Sequence, residues 1–86
     1  MTPDAVLLTL KRILAELTSL PEAELDSDDI VEDILIGDSL SRVEYLTALE
    51  MEFGVDLKDA NSSQLETLTS TAMYLSEVLS KDDAGA

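Results

Sequence analysis

The sequence predicts an all-α protein: a four-helix bundle with a long loop between helices one and two and a short third helix. Three observations lead there. Apolar residues recur at a period of about 3.6 residues in several segments, strand-type alternation is absent, and Pro21 and Gly54 fall between the periodic segments. At 86 residues the chain makes one domain, assigned to residues 1–80, with 81–86 reading as a disordered tail.

The first helix opens at Thr2-Pro3-Asp4. Thr2 suits the cap, Pro3 the first helical position and Asp4 the positive end of the dipole. Val6, Leu10, Ile13, Leu14 and Leu17 form its apolar stripe, and Thr18 to Pro21 ends it because Pro21 biases Leu20 away from helical angles. Residues 22–37 form a long connection containing the acidic run Asp26-Ser27-Asp28-Asp29. Leu25, Ile30, Ile34, Leu35 and Ile36 are expected to pin this loop to the core, with a short helical turn around Asp28 to Asp33.

The second long helix is placed at Ser39 to Phe53, capped by Asp38 or Ser39 and stopped by Gly54. It carries two apolar stripes. Tyr45, Ala48, Leu49 and Phe53 belong to the core, whereas Leu40 and Val43 lie beside Glu44, Glu50 and other carboxylates and are expected to stay exposed for a partner. Asn61 or Ser62 is expected to cap a brief third helix over Ser63 to Thr67, burying Leu65 and Leu68. Ser70 then caps the last helix, whose apolar face is Ala72, Leu75, Val78 and Leu79.

Composition excludes much chemistry. The chain has no cysteine and no histidine, which removes disulfides, thiolate zinc sites, the usual neutral-pH general base and any Ser-His triad. Nineteen acidic residues against five basic ones give a net charge of −14. A polyanion is repelled by nucleic acid and anionic lipid, so no nucleic-acid or membrane partner is expected, and basic patches on other proteins are the natural counterparts. With no membrane-length apolar stretch and no leader pattern at the N-terminus, the chain reads as a cytoplasmic monomer. Asp26-x-Asp28 begins like a calcium loop, but Val31 replaces the turn glycine and Gly37 the bidentate glutamate. A solvated acidic loop is the better reading.

The informative segment is Leu35 to Val55. It sets Ser39 at a helix N-terminus, where unpaired amides and the dipole favour a phosphate by roughly 0.3–1 kcal/mol. An isolated Asp-Ser-Leu would mark a helix cap and nothing more. Here Asp38-Ser39-Leu40 is followed by Val43-Glu44, Ala48-Leu49-Glu50 and Glu52-Phe53, and preceded by Val31-Glu32-Asp33. This pattern resembles the phosphopantetheine attachment site of the acyl carrier protein family, and the likeness covers essentially the whole chain, weakening after Leu57.

The resemblance implies an acyl-carrier-like four-helix bundle that is a carrier and not an enzyme. A 4′-phosphopantetheine arm would be transferred from coenzyme A to Ser39 by a phosphopantetheinyl transferase, with Asp38 assisting its Mg²⁺. Acyl groups would ride as thioesters to a ketosynthase, acyltransferase or related synthase enzyme. Leu40, Val43, Glu44, Thr47 and Glu50 would make the partner-binding face, meeting basic docking patches in fast, salt-sensitive encounters. In the family, the space between the helices often shelters the acyl chain.

Some residues depart from the family pattern. One extra residue separates Asp33 from Asp38, and Gly37 directly precedes Asp38 instead of standing two places earlier, so the loop is expected to bulge. Thr47 stands where an apolar residue such as Met is common, and Thr71 replaces a branched apolar residue. These differences favour polyketide or specialised fatty-acid synthesis over housekeeping fatty-acid synthesis. Two alternatives stand beside this reading: an aminoacyl or peptidyl carrier of nonribosomal type, and an unmodified acidic protein-interaction domain. Arg42 reads as pairing with a neighbouring acid, Glu50 or Asp38. Tyr45 and Tyr74 read as core or rim, and Met51 and Met73 as packing or surface residues.

Overall fold

Helix α1 spans Pro3–Thr18, and its start follows the sequence signal: Thr2 Oγ1 accepts a hydrogen bond from the Ala5 amide at 3.3 Å, with Pro3 and Asp4 in the first turn. Ser19 ends it in the left-handed region (φ 63°). The computed structural model describes residues 2–36, 39–58 and 60–85. Val6, Leu10, Ile13 and Leu14 of α1 are buried and Leu17 is partly buried.

The long connection contains a single 3₁₀ turn, Glu22–Glu24, and a short helix α2, Val31–Ile34. Leu25, Val31, Ile34 and Leu35 anchor it in the core. Two of the expected anchors are not anchors: Ile30 is 41% exposed and Ile36 88% exposed. Val31 takes the inward position instead, because α2 starts there and turns Ile30 outward. The loop is also stitched by its backbone to residues 66–69. The Val31 amide donates to the Glu66 carbonyl (2.8 Å), Leu68 to Asp29 (3.3 Å) and Thr69 to Ser27 (3.0 Å). The acidic run spends its carboxylates on its own backbone, Asp26 accepting from the Asp28 amide and Asp29 from the Asp26 amide.

Helix α3 is Ser39–Phe53, with Tyr45, Leu49 and Phe53 facing the core. Gly54 at φ 63° closes it, and the Val55 amide reaches back to the Glu50 carbonyl at 3.3 Å in the Schellman manner. The expected third helix is not a helix. Asn61 does cap, exchanging bonds with Gln64 (both 3.0 Å), but residues 62–65 form only consecutive turns before the chain joins the loop seam at Glu66.

Helix α4 runs Leu68–Gly85. Its cap is Thr67 and not Ser70: Thr67 Oγ1 accepts from the Ser70 amide and Ser70 Oγ from the Thr67 amide, both at 3.0 Å. This is a capping box with serine in the usual glutamate position. The helix continues through residues the sequence assigns to a tail, where there is no proline to stop it.

Helix α1 packs mainly on α4 and then on α3, with Leu10, Leu14, Leu49, Leu68 and Leu75 fully buried between them. Among the described residues there are four α-helices and no strand, and no helix is long and apolar enough to cross a membrane.

Candidate functional site

Ser39 is the first residue of α3 and is exposed. The first turn of the helix carries no acidic residue, so no carboxylate within it opposes an anion at the positive end of the dipole. An exposed hydroxyl in that position fits a phosphodiester. Asp38, with Gly37, lies outside the described residues. Just before them stands Ile36. Its amide closes a turn on the Asp33 carbonyl (3.2 Å), and its φ of 58° is left-handed. Ile36 stands two places before Asp38, where the resembling family has glycine. A β-branched residue there is strained.

The outward face of α3 holds Leu40 (66% exposed), Val43 (59%), Glu44 and Thr47, and ends in Met51 (80%). These positions fall on one stripe opposite Tyr45, Leu49 and Phe53. Met51 was not singled out from the sequence, although its place one turn beyond Thr47 puts it on this stripe. Glu50 sits apart from these residues. It is partly buried, and its Oε2 accepts the Leu57 amide at 3.0 Å, bracing the exit from α3.

Among the described residues Arg42 pairs with Glu32 of α2, at 3.1 Å, and not with the expected Glu50; the other expected acid, Asp38, lies outside them. Its position one turn after Ser39 turns it towards α2 and away from the Leu40 stripe. This exposed pair borders a pocket of about 410 Å³ between α2, the start of α3 and the turns at 62–66, with Val31, Leu35, Tyr45, Leu46 and Leu65 among its apolar walls.

Tyr45 is 1% exposed, and its hydroxyl has no hydrogen-bond partner among the described residues. Such a group costs about 1–3 kcal/mol. Burial pushes its pKa far above the usual tyrosine range. Thr71 of α4, fully buried, lies close enough to temper that rise, but its own proton goes to the Thr67 carbonyl at 2.7 Å. The threonine that departs from the family pattern thus stands beside the buried tyrosine.

Comparison with known proteins agrees with this architecture. The family profile described as "Phosphopantetheine attachment site" matches residues 9–75. An acyl carrier protein of Petrotoga mobilis is 35% identical over 83 residues, covering 96% of this chain and 98% of the relative. An acyl carrier protein of Rickettsia typhi is 28% identical over 76 residues, 88% of each chain. With its helical architecture and these matches, the chain belongs to the acyl carrier protein family, whose prosthetic group is a covalently held 4′-phosphopantetheine.

Proposed function

We infer that Ser39 is the residue that takes the arm and that the chain carries acyl intermediates of polyketide or specialised fatty-acid synthesis. The observation that carries this is the exposed Ser39 at the N-terminus of α3, at the head of an exposed apolar stripe. In the loading step Ser39 Oγ attacks the diphosphate phosphorus on the pantetheine side of coenzyme A. The phosphoanhydride bond breaks, adenosine 3′,5′-bisphosphate leaves with the electron pair, and the serine proton passes to a base of the transferase. Asp38, adjacent in sequence, is the carboxylate assigned to help place the transferase Mg²⁺. The arm supplies a terminal thiol at which acyl groups are held as thioesters.

The remaining roles belong to the chain's own surface. The positive end of the α3 dipole favours the phosphodiester. Leu40, Val43, Thr47 and Met51 offer apolar contact to a synthase enzyme. Glu44 and the net charge of −14 draw in its basic patch, giving fast and weak docking. Glu50 serves the fold first, through Leu57, and touches a partner only at the edge of the site. The chain provides no catalytic group of its own in this reading and works in the cytoplasm.

Intact mass after incubation with coenzyme A, Mg²⁺ and a broad-specificity phosphopantetheinyl transferase tests the assignment. Wild type gains one phosphopantetheinyl group and Ser39→Ala gains none. No addition to folded wild type, or addition to both, overturns it. Loading of acyl groups by a polyketide acyltransferase, with no loading by an amino-acid-activating enzyme, separates this reading from a peptidyl carrier.

A further inference from the structure

The Tyr45 hydroxyl lies beside Thr71 without meeting it at good hydrogen-bond geometry. A phenylalanine would fill the same space without burying an unpartnered polar atom, and the neighbouring Thr71 is likewise polar in an otherwise apolar interior. Tyr45 also walls the pocket between α2, α3 and the turns at 62–66, whose volume of about 410 Å³ is within the usual range for small-ligand sites, and its hydroxyl is buried behind that wall. Arg42, Tyr45 and Leu46 of that wall follow Ser39 by three, six and seven residues, so the pocket opens along the edge of α3 below the exposed serine. Burial keeps the tyrosine protonated, so it is a donor throughout the working pH range.

We propose that the Tyr45 hydroxyl is a specificity-determining hydrogen-bond donor for an oxygen on the acyl chain, so that this carrier shelters chains bearing a hydroxyl or oxo group in preference to plain saturated ones. This rests on the arm being attached at Ser39. A saturated chain that parts the packing beside Tyr45 leaves the hydroxyl unpartnered, whereas one with an acceptor oxygen at the right depth satisfies it. Thr71, with its proton committed to Thr67, offers an acceptor lone pair to the same cluster.

The test loads wild type and Tyr45→Phe with octanoyl, 3-hydroxyoctanoyl, 5-hydroxyoctanoyl and 7-hydroxyoctanoyl arms from the corresponding coenzyme A thioesters. Intact mass first verifies loading, and failure at this stage refutes the Ser39 assignment itself. The rate at which hydroxylamine cleaves each thioester is then followed. In wild type at least one hydroxylated chain is cleaved roughly five- to tenfold more slowly than octanoyl. In Tyr45→Phe that difference vanishes while the octanoyl rate is unchanged. Any other pattern on loaded, folded protein overturns the proposal, including equal protection of all chains or a preference that survives in Tyr45→Phe.

Discussion

Replacing Ile36 with glycine should stabilise the protein. Holding an L-residue in the left-handed region costs about 1–2 kcal/mol, and β-branching puts isoleucine at the upper end. Ile36 sits there at φ 58°. Its side chain is 88% exposed, so truncation forfeits almost no buried area. Against the relief stands the greater freedom of glycine in the unfolded chain, about 0.5–1 kcal/mol. The net gain is then about 1–1.5 kcal/mol, which for a domain of this size raises Tm by roughly 4–12 °C. Thermal unfolding followed by circular dichroism, at fixed salt, measures it. Ile36→Ala is the control: it removes the exposed methyl groups and the β-branch but keeps the Cβ that makes the conformation costly, so it should recover only part of the gain. If Ile36→Gly melts at or below wild type, or if alanine stabilises as much as glycine, backbone strain is not what distinguishes this position.

Other perturbations have equally definite outcomes. Thr67→Ala breaks the reciprocal cap of α4 and should cost about 0.5–2 kcal/mol by urea unfolding, more than removal of the exposed Thr9 hydroxyl. Leu10→Ala, at a fully buried site, should cost about 2–5 kcal/mol and leave so small a domain largely unfolded by circular dichroism. Because burial raises the pKa of Tyr45, the unfolded chain loses that proton first, and stability contributed at neutral pH falls as pH rises above ~10. Tyr45→Phe should therefore be no less stable than wild type at pH ~7 and should unfold less steeply on the alkaline side in a pH titration. Added NaCl or Mg²⁺ should raise Tm by relieving repulsion among the 19 acidic residues, and a flat salt series would refute that.

The faces of α1 and α3 were legible in the sequence because periodicity encodes them directly: Val6, Leu10 and Leu14 inward, Leu40 and Val43 outward. Loop residues have no such code. Ile30 and Ile36 look like anchors by their chemistry, but whether they point in depends on a helix start and a left-handed turn that hydrophobicity does not report. Thr67 was hidden by Ser70, since either is a good cap and only the paired bonds show which holds the end. The relation between Tyr45 and Thr71 joins segments far apart in the chain, and each looks ordinary alone. Arg42 had several acids in reach, and only the placement of α2 selects Glu32.

The seam joining residues 27–31 to 66–69 has a mechanical consequence. It fuses α2 and the head of α4 into one body, so Val31 and Leu35 cannot move away from Leu65 without breaking several backbone bonds at once. The opposite side of the pocket, Tyr45 and Leu46, rides on α3, which reaches that body through the Ile36 joint and the solvent-exposed Arg42–Glu32 pair. Widening the pocket is then a swing of one rod against a fixed jaw.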